Sequence, residues 1–127
     1  MNPTRKITDR TLSAEETALP TWLLEHGEPK VQRFLEHVPR ARVVGRCPCG
    51  CASIDFAIAG QRAPAGTGVD VLSDYQWRGS QGELFGVFVF ARADLLSGLE
   101  VWSIDGRATP TFLPKPSQLE PHGTPTT

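Results

Sequence analysis

The chain has 127 residues, with 13 basic and 14 acidic side chains and a formal net charge of -1. This length fits one domain with its own core, and the balanced charge gives no basic field to attract nucleic acid or an anionic membrane. The N-terminal stretch lacks the apolar core of a secretory signal, and no apolar run reaches the roughly 18 residues of a membrane span. We therefore expect a cytoplasmic protein without nucleic-acid or membrane partners.

Two helices are predicted in the first third of the chain. Ser13 and Glu16 form an S-x-x-E capping box, and the apolar residues that follow recur on one face, which predicts a helix from about Ala14 to Glu25. Pro20 removes a backbone donor within this segment, so the helix should kink or restart there. A second helix with apolar residues at i, i+3, i+4 and i+7 is predicted from Pro29 to its end at Pro39.

Beyond Arg40 the apolar residues alternate with a period of two, which predicts strands. Five strands are predicted, and they include Val43-Val44, Ile54–Ile58, Val69–Trp77, Leu84–Ala91 and Leu99–Ile104. The fourth is apolar at nearly every position and should be a central strand covered on both faces. Because short turns leave no room for crossover helices, neighbouring strands must be antiparallel.

The predicted fold class is α+β, with two N-terminal helices packed on an antiparallel meander of about five strands. The helix residues expected to close one side of the sheet are Trp22, Leu23, Phe34 and Leu35. The segment from Pro110 to Thr127 carries five of the 11 prolines and little periodicity, so we expect an extended or mobile arm. The predicted division is one domain of residues 1–112 and a Pro-rich tail of residues 113–127.

All three cysteines lie in the stretch RCPCGC, at Cys47, Cys49 and Cys51, between the first two predicted strands. Pro48 suits position i+1 of a type I turn, and Gly50 suits the left-handed residue of a three-residue hairpin with a bulge. In such a hairpin Cys47 and Cys51 would face each other. Their Cα atoms would then be roughly 4.5 to 5.5 Å apart, which allows a reversible disulfide.

Three roles for Cys47, Cys49 and Cys51 remain open: a structural turn, a metal site and redox chemistry. Zinc is the alternative cofactor, because thiolates bind zinc in a tetrahedron at about 2.3 Å. A fourth ligand is missing from the motif, and the three histidines lie elsewhere in the sequence. The turn is the favoured interpretation, and it predicts that the purified protein holds no tightly bound metal.

Motifs that would indicate an enzyme are scarce. The sequence contains no P-loop, no G-x-S-x-G and no H-E-x-x-H, and its acidic residues are scattered. A catalytic cysteine would need a base, for which His37 is the best-placed candidate along the chain, but a lone histidine on a polar helix face is more often solvated. We therefore name no catalytic residue and no cofactor-binding residue, and we favour a protein that is not an enzyme.

Two segments together resemble a known group of proteins. The stretch ARVVGRCPCGCASIDF, followed some forty residues later by LLSGLEVWSIDG, is similar to a group of small uncharacterised bacterial proteins that share a C-x-C-G-C-like hairpin and an L-x-x-L-E-like strand. The resemblance covers roughly residues 12 to 114. It implies an α+β fold with two N-terminal helices before an antiparallel sheet, and it implies no activity.

Two functions of different classes follow from the sequence. The first is a small module that binds another protein, of an immunity or antitoxin kind, with Trp22, Trp77 and Trp102 as candidate anchors for the partner. The alternative is a metal-binding or redox-responsive protein that acts through the CPCGC cysteines. The sequence does not decide between them.

Overall fold

The structure is a computed structural model that describes residues 6–64 and 66–123. Its elements in chain order are β1 (Lys6–Thr11), α1 (Ala14–Glu25), a long 3₁₀ helix (Pro29–Arg40), β2 (Ala41–Arg46), β3 (Ile54–Ile58), β4 (Asp70–Arg78), β5 (Leu84–Arg92), β6 (Leu95–Ser103) and a short 3₁₀ helix (Pro116–Gln118). Within the described ranges, no helix is both long enough and apolar enough to cross a bilayer.

The strands form one antiparallel sheet in the spatial order β1-β2-β3-β6-β5-β4. The α+β class and the antiparallel pairing are therefore confirmed. The sheet has six strands where about five were predicted, and it consists of two three-stranded meanders, β1 to β3 and β4 to β6. These meet where β3 pairs with β6, so the chain passes from β3 to the far edge of the sheet before it returns.

The additional strand is β1, which precedes both helices and forms one edge of the sheet. Its only large apolar residue is Ile7, which is 88% exposed, so β1 has no buried stripe that a sequence pattern could reveal. Backbone pairing with β2 holds it instead, with a register irregularity between Ile7 and Arg10. The Arg42 Nε atom also donates to Asp9 Oδ1 at 2.6 Å across the two strands.

The capping box predicted for α1 is present. The Ser13 Oγ atom accepts the Glu16 backbone N–H at 3.1 Å, and the Glu16 carboxylate accepts the Ser13 backbone N–H at 2.8 Å. The helix runs from Ala14 to Glu25 through Pro20 and does not restart there. Pro20 is fully buried, and this burial of its ring helps to offset the hydrogen bond that proline cannot make.

The second predicted helix forms as a 3₁₀ helix, and it ends at Arg40, one residue beyond the predicted end at Pro39. With about three residues per turn, residues three apart lie on one face, which brings Val31 and Phe34 together against the core. Of the helix residues predicted to close the sheet, Leu23 and Phe34 are buried in the core. The other two are partly buried and pack against it, and they are Trp22 and Leu35.

The strong apolar run of the sequence forms β5, as predicted. It lies inside the sheet between β6 and β4 and is buried at most of its positions. Its Val87 and Val89 side chains are fully buried in the same core as Val43 and Leu99 of neighbouring strands. This core lies between the sheet and the two longer helices and supports the loop that carries the cysteines.

The segment predicted as a tail lies along the domain over its described part, residues 113–123. Just before it, the Pro110 carbonyl accepts the Ala52 backbone N–H at 3.0 Å, next to the cysteine loop. Further on, Glu120 and Gln76 of β4 exchange two backbone hydrogen bonds of 2.9 Å each. Residues 110–123 thus contact both the cysteine loop and the outer edge of β4.

Candidate functional site

The cysteines lie in the loop of residues 47–53, which joins β2 to β3. The turn predicted inside it is present: the Gly50 N–H points to the Cys47 carbonyl at 3.5 Å, and Gly50 has a φ of +91°. Pro48 therefore occupies position i+1 of a four-residue turn, and Gly50 adopts the left-handed conformation that glycine tolerates best. The Pro48/Gly50 turn chemistry is confirmed.

The predicted three-residue hairpin, in contrast, is wrong. The ladder ends at the pair Arg46 and Ile54, and the Cys47 N–H points to the Ser53 carbonyl at 3.4 Å. Cys47 therefore lies opposite Ser53 and not opposite Cys51. Cys51 does not pair because the loop is longer than three residues. The additional residues follow the turn, so Cys51 lies outside the ladder of strand pairs.

The three cysteines form a compact group, here called the thiol cluster (Cys47, Cys49 and Cys51). Their Sγ atoms all lie within 4.8 Å of one another, and all three are free thiols. The Sγ atoms of Cys47 and Cys49 are 2.6 Å apart, well inside the roughly 3.5 to 4.0 Å of ordinary non-bonded contacts. The backbone N–H of Cys51 donates to the Cys49 Sγ atom at 3.3 Å. The turn thus brings together three cysteine side chains that would lie further apart on an extended strand.

The environments of Cys47 and Cys49 differ. Cys49 is exposed and Cys47 is partly buried. Burial, together with the hydrogen bond to Cys49, raises the pKa of the Cys47 thiol to about 11. Hydrogen bonds from the Cys47 and Cys51 side chains and from the Cys51 backbone N–H lower the pKa of the Cys49 thiol. Cys49 is therefore the thiol that ionises more readily of the two, and its sulfur is open to solvent.

The histidines lie away from the thiol cluster. The His37 Nδ1 atom accepts the Leu96 backbone N–H at 3.2 Å, so His37 faces β6 and is not placed as a base for a cysteine. His26 stacks on Trp22, and His122 bonds to an acidic residue of β4. Among the residues that the structure describes, no histidine, aspartate or glutamate joins the three thiols as a further metal ligand.

A cavity of about 310 Å³, here called the loop pocket, adjoins the thiol cluster. It lies between the start of α1, the cysteine loop and residues 111–113. Its polar and charged lining residues include Arg10, Arg46, Glu15, Glu16, Cys51 and Ser53. No sequence pattern predicted this pocket, because its walls come from three separate segments of the chain.

The tryptophans proposed as partner anchors differ in exposure. Trp77 is only 5% exposed, and Trp22 is partly buried against the core and stacks on His26. Trp102 alone among the three has a largely accessible side chain, at 42% exposure. Two of the three candidate anchors are therefore parts of the packed domain, and the observations that support partner binding are reduced to one residue.

Comparison with models of protein families, with curated proteins and with solved structures finds no match to this chain. The resemblance to small bacterial proteins stays a prediction for that reason. The α+β fold by itself does not indicate an activity, because one fold can carry many functions. The functional argument therefore rests on the thiol cluster and the loop pocket.

Proposed function

We propose that the protein undergoes thiol–disulfide exchange at the thiol cluster, with Cys49 as the attacking thiolate and Cys47 as the resolving thiol. The observation that carries the proposal is the 2.6 Å separation of the Cys47 and Cys49 sulfur atoms. A second thiol so close to the first makes the step that resolves a mixed disulfide intramolecular and hence fast. This supports the redox-responsive alternative over the partner-binding module.

The reaction has two steps. The Cys49 thiolate attacks one sulfur of a disulfide R–S–S–R, which forms a Cys49–S–S–R bond and releases RS⁻. The Cys47 thiol then gives its proton to the solvent or to RS⁻ and attacks the Cys49 sulfur, which forms the Cys47–Cys49 disulfide and releases the second RS⁻. The pair loses two electrons, and the external disulfide gains them and becomes two thiols.

The assignment of roles follows from exposure and ionisation. The attacking group must be accessible and present as a thiolate, and Cys49 is the exposed member with the lowered pKa. Cys47 is partly buried with a pKa of about 11, so it stays protonated near neutral pH until a mixed disulfide forms beside it. The reverse assignment would make the less accessible and less acidic thiol the attacking group.

Single-thiol variants test the attacking role. The Cys47→Ser/Cys51→Ser variant retains Cys49, and the Cys49→Ser/Cys51→Ser variant retains Cys47. After reduction, each is mixed with 2-hydroxyethyl disulfide near neutral pH and quenched with iodoacetamide, and the mixed disulfide is followed by mass spectrometry. We expect the variant with Cys49 to react at least several times faster, because Cys49 is exposed and the serine hydroxyls at positions 47 and 51, with the backbone N–H of residue 51, can still donate to its thiolate. Equal rates, or a faster Cys47, would contradict the assignment.

The Cys51→Ser variant tests the resolving step. It retains only Cys47 and Cys49, so oxidation should remove two hydrogen atoms per chain and leave no bound fragment of the reagent. An accumulating mixed disulfide, or a disulfide between two chains, would show that the pair does not close. The variant with Cys49 alone is the matched control, since it has no resolving thiol and must retain the fragment.

Binding of a soft metal ion is the second candidate, and the three Sγ atoms within 4.8 Å of one another favour it. Thiolates at about 2.3 Å from a tetrahedral zinc ion are roughly 3.8 Å apart, which a modest adjustment of the loop would reach. Metal analysis of protein purified without chelators separates the candidates. One zinc ion per chain, with alkylation blocked until a chelator is added, would replace the exchange proposal with a metal site.

A further inference from the structure

We infer that the loop pocket recognises the amino-acid-like end of a low-molecular-weight disulfide, with Arg46 binding its carboxylate and Glu15 binding its ammonium group. This inference rests on the proposed exchange function and names the class of its substrate. It concerns the residues of the pocket wall rather than the reacting thiols.

The position of the pocket links it to the thiol cluster. Cys51 lines the pocket, and the backbone N–H of the same residue reaches the Cys49 sulfur at 3.3 Å. Gly50 and Cys51, the two residues that follow Cys49, thus line the pocket, so a molecule bound there lies beside the loop that carries the attacking thiolate. The volume of about 310 Å³ lies at the small end of ligand sites, which suits a fragment the size of an amino acid and not a folded protein.

The charges of the pocket leave one cation and one anion available. Arg10 and Glu16 form a two-point ion pair, with N–O distances of 2.6 and 2.9 Å, and so neutralise each other. Arg46 and Glu15 are exposed on the pocket wall, and neither forms an ion pair with another residue of the described ranges. A guanidinium group matches the geometry of a carboxylate, and a carboxylate matches an ammonium group.

The pocket therefore fits a zwitterion better than it fits a neutral or purely cationic molecule. Cystine, the disulfide of cysteine, carries both groups close to the sulfur–sulfur bond, on the carbon next to each CH2–S unit. A neutral disulfide would meet the same thiols but would leave Arg46 and Glu15 without partners. The expected result is a preference among disulfides that depends on the pocket wall, beyond the intrinsic reactivity of each reagent.

The test compares two oxidants on the reduced full chain. Cystine carries a carboxylate and an ammonium group next to each CH2–S unit, and 2-hydroxyethyl disulfide carries no charge. The measured quantity is the ratio of the two oxidation rates, so a general change in thiol reactivity cancels. We expect Arg46→Gln to lower this ratio by about two- to five-fold, the range for one exposed ion pair, and Arg46→Lys to restore part of it. Molar salt should lower the wild-type ratio as well, because it screens exposed charges.

Arg62→Gln is the matched control. Arg62 is also exposed, but it lies beyond the opposite end of β3 from the cysteine loop and does not line the pocket. It should leave the ratio unchanged. If Arg46→Gln leaves the ratio unchanged, or if Arg62→Gln lowers it equally, the inference is wrong. The exchange function still holds in that case, provided that both reagents oxidise the protein. If neither reagent oxidises the wild type, the exchange function and the inference both fail.

Discussion

Replacing Gly50 with alanine tests whether the turn, rather than any one thiol, stabilises the cysteine loop. Gly50 has a φ of +91°, and no atom lies within 4 Å of the position that a Cβ would take. The penalty therefore comes from the backbone conformation alone, which costs a residue with a side chain about 1 to 2 kcal/mol. For a chain of this size that loss lowers the melting temperature by roughly 4 to 8 °C.

The assay is thermal unfolding followed by circular dichroism, in reductant, with and without a chelator. Gly68→Ala is the control, because Gly68 also has open space around it but does not have a positive φ. Alanine there should be neutral or slightly stabilising. Cys49→Ser should be nearly neutral, since Cys49 is exposed and the turn does not need its sulfur.

Two results would refute this reasoning. If Gly50→Ala melts no lower than Gly68→Ala, the left-handed conformation does not limit the stability of the loop. If the wild type loses stability on addition of the chelator, and Cys49→Ser is the more damaged variant, a bound metal rather than the turn organises the loop.

Three further substitutions test the packing around the site by urea unfolding. Arg10→Ala should lower the free energy of unfolding by about 1 kcal/mol at neutral pH. Because Arg10 is the main cause of the lowered pKa of Glu16, this loss should shrink as the pH falls through that pKa, and a loss that persists in acid would argue against the ion pair. Ser53→Ala should cost about 1 to 3 kcal/mol, because the buried Ser53 Oγ atom accepts the Val101 backbone N–H at 2.9 Å; no loss would mean that this N–H finds another acceptor. Gly98→Ala should cost at least about 1 to 3 kcal/mol, because a Cβ there would collide with the backbone of β3, and an unchanged midpoint would contradict this close approach.

Local patterns predicted the local parts of the fold. The capping box of α1 and the apolar run of β5 appear where the sequence indicated them, because a cap involves residues three apart and an inner strand buried at most of its positions is apolar at consecutive positions. β1 was missed because backbone pairing and ion pairs hold it, and these leave no apolar pattern. The 3₁₀ geometry of the second helix was missed as well, since Val31 and Phe34, three residues apart, lie on one face of either kind of helix.

The candidate site could be predicted only in part. The sequence identified the thiols and the left-handed Gly50, since both belong to one short stretch. It did not establish the register, because a loop of residues 47–53 and a three-residue turn share the same Pro48/Gly50 chemistry. The sequence did not predict the loop pocket, since Arg46, the start of α1 and residues 111–113 come together only in the folded domain.

The junction of the two meanders has a consequence for the folding kinetics of this chain. β3 and β6 are joined through the register pairs Ile54 with Leu99 and Asp55 with Gly98, whereas the other pairings link strands that are neighbours along the chain. Pairing β3 with β6 restricts the whole segment between them. The chain entropy lost in this way opposes the pairing until the hydrogen bonds between the two strands form. We therefore expect the β4–β6 meander, whose strands are joined by short turns, to form before β3 pairs with β6, and we expect the closing of this junction to limit the folding rate. The cysteine loop leads directly into this junction, so it reaches its final geometry late, with the closure of the sheet.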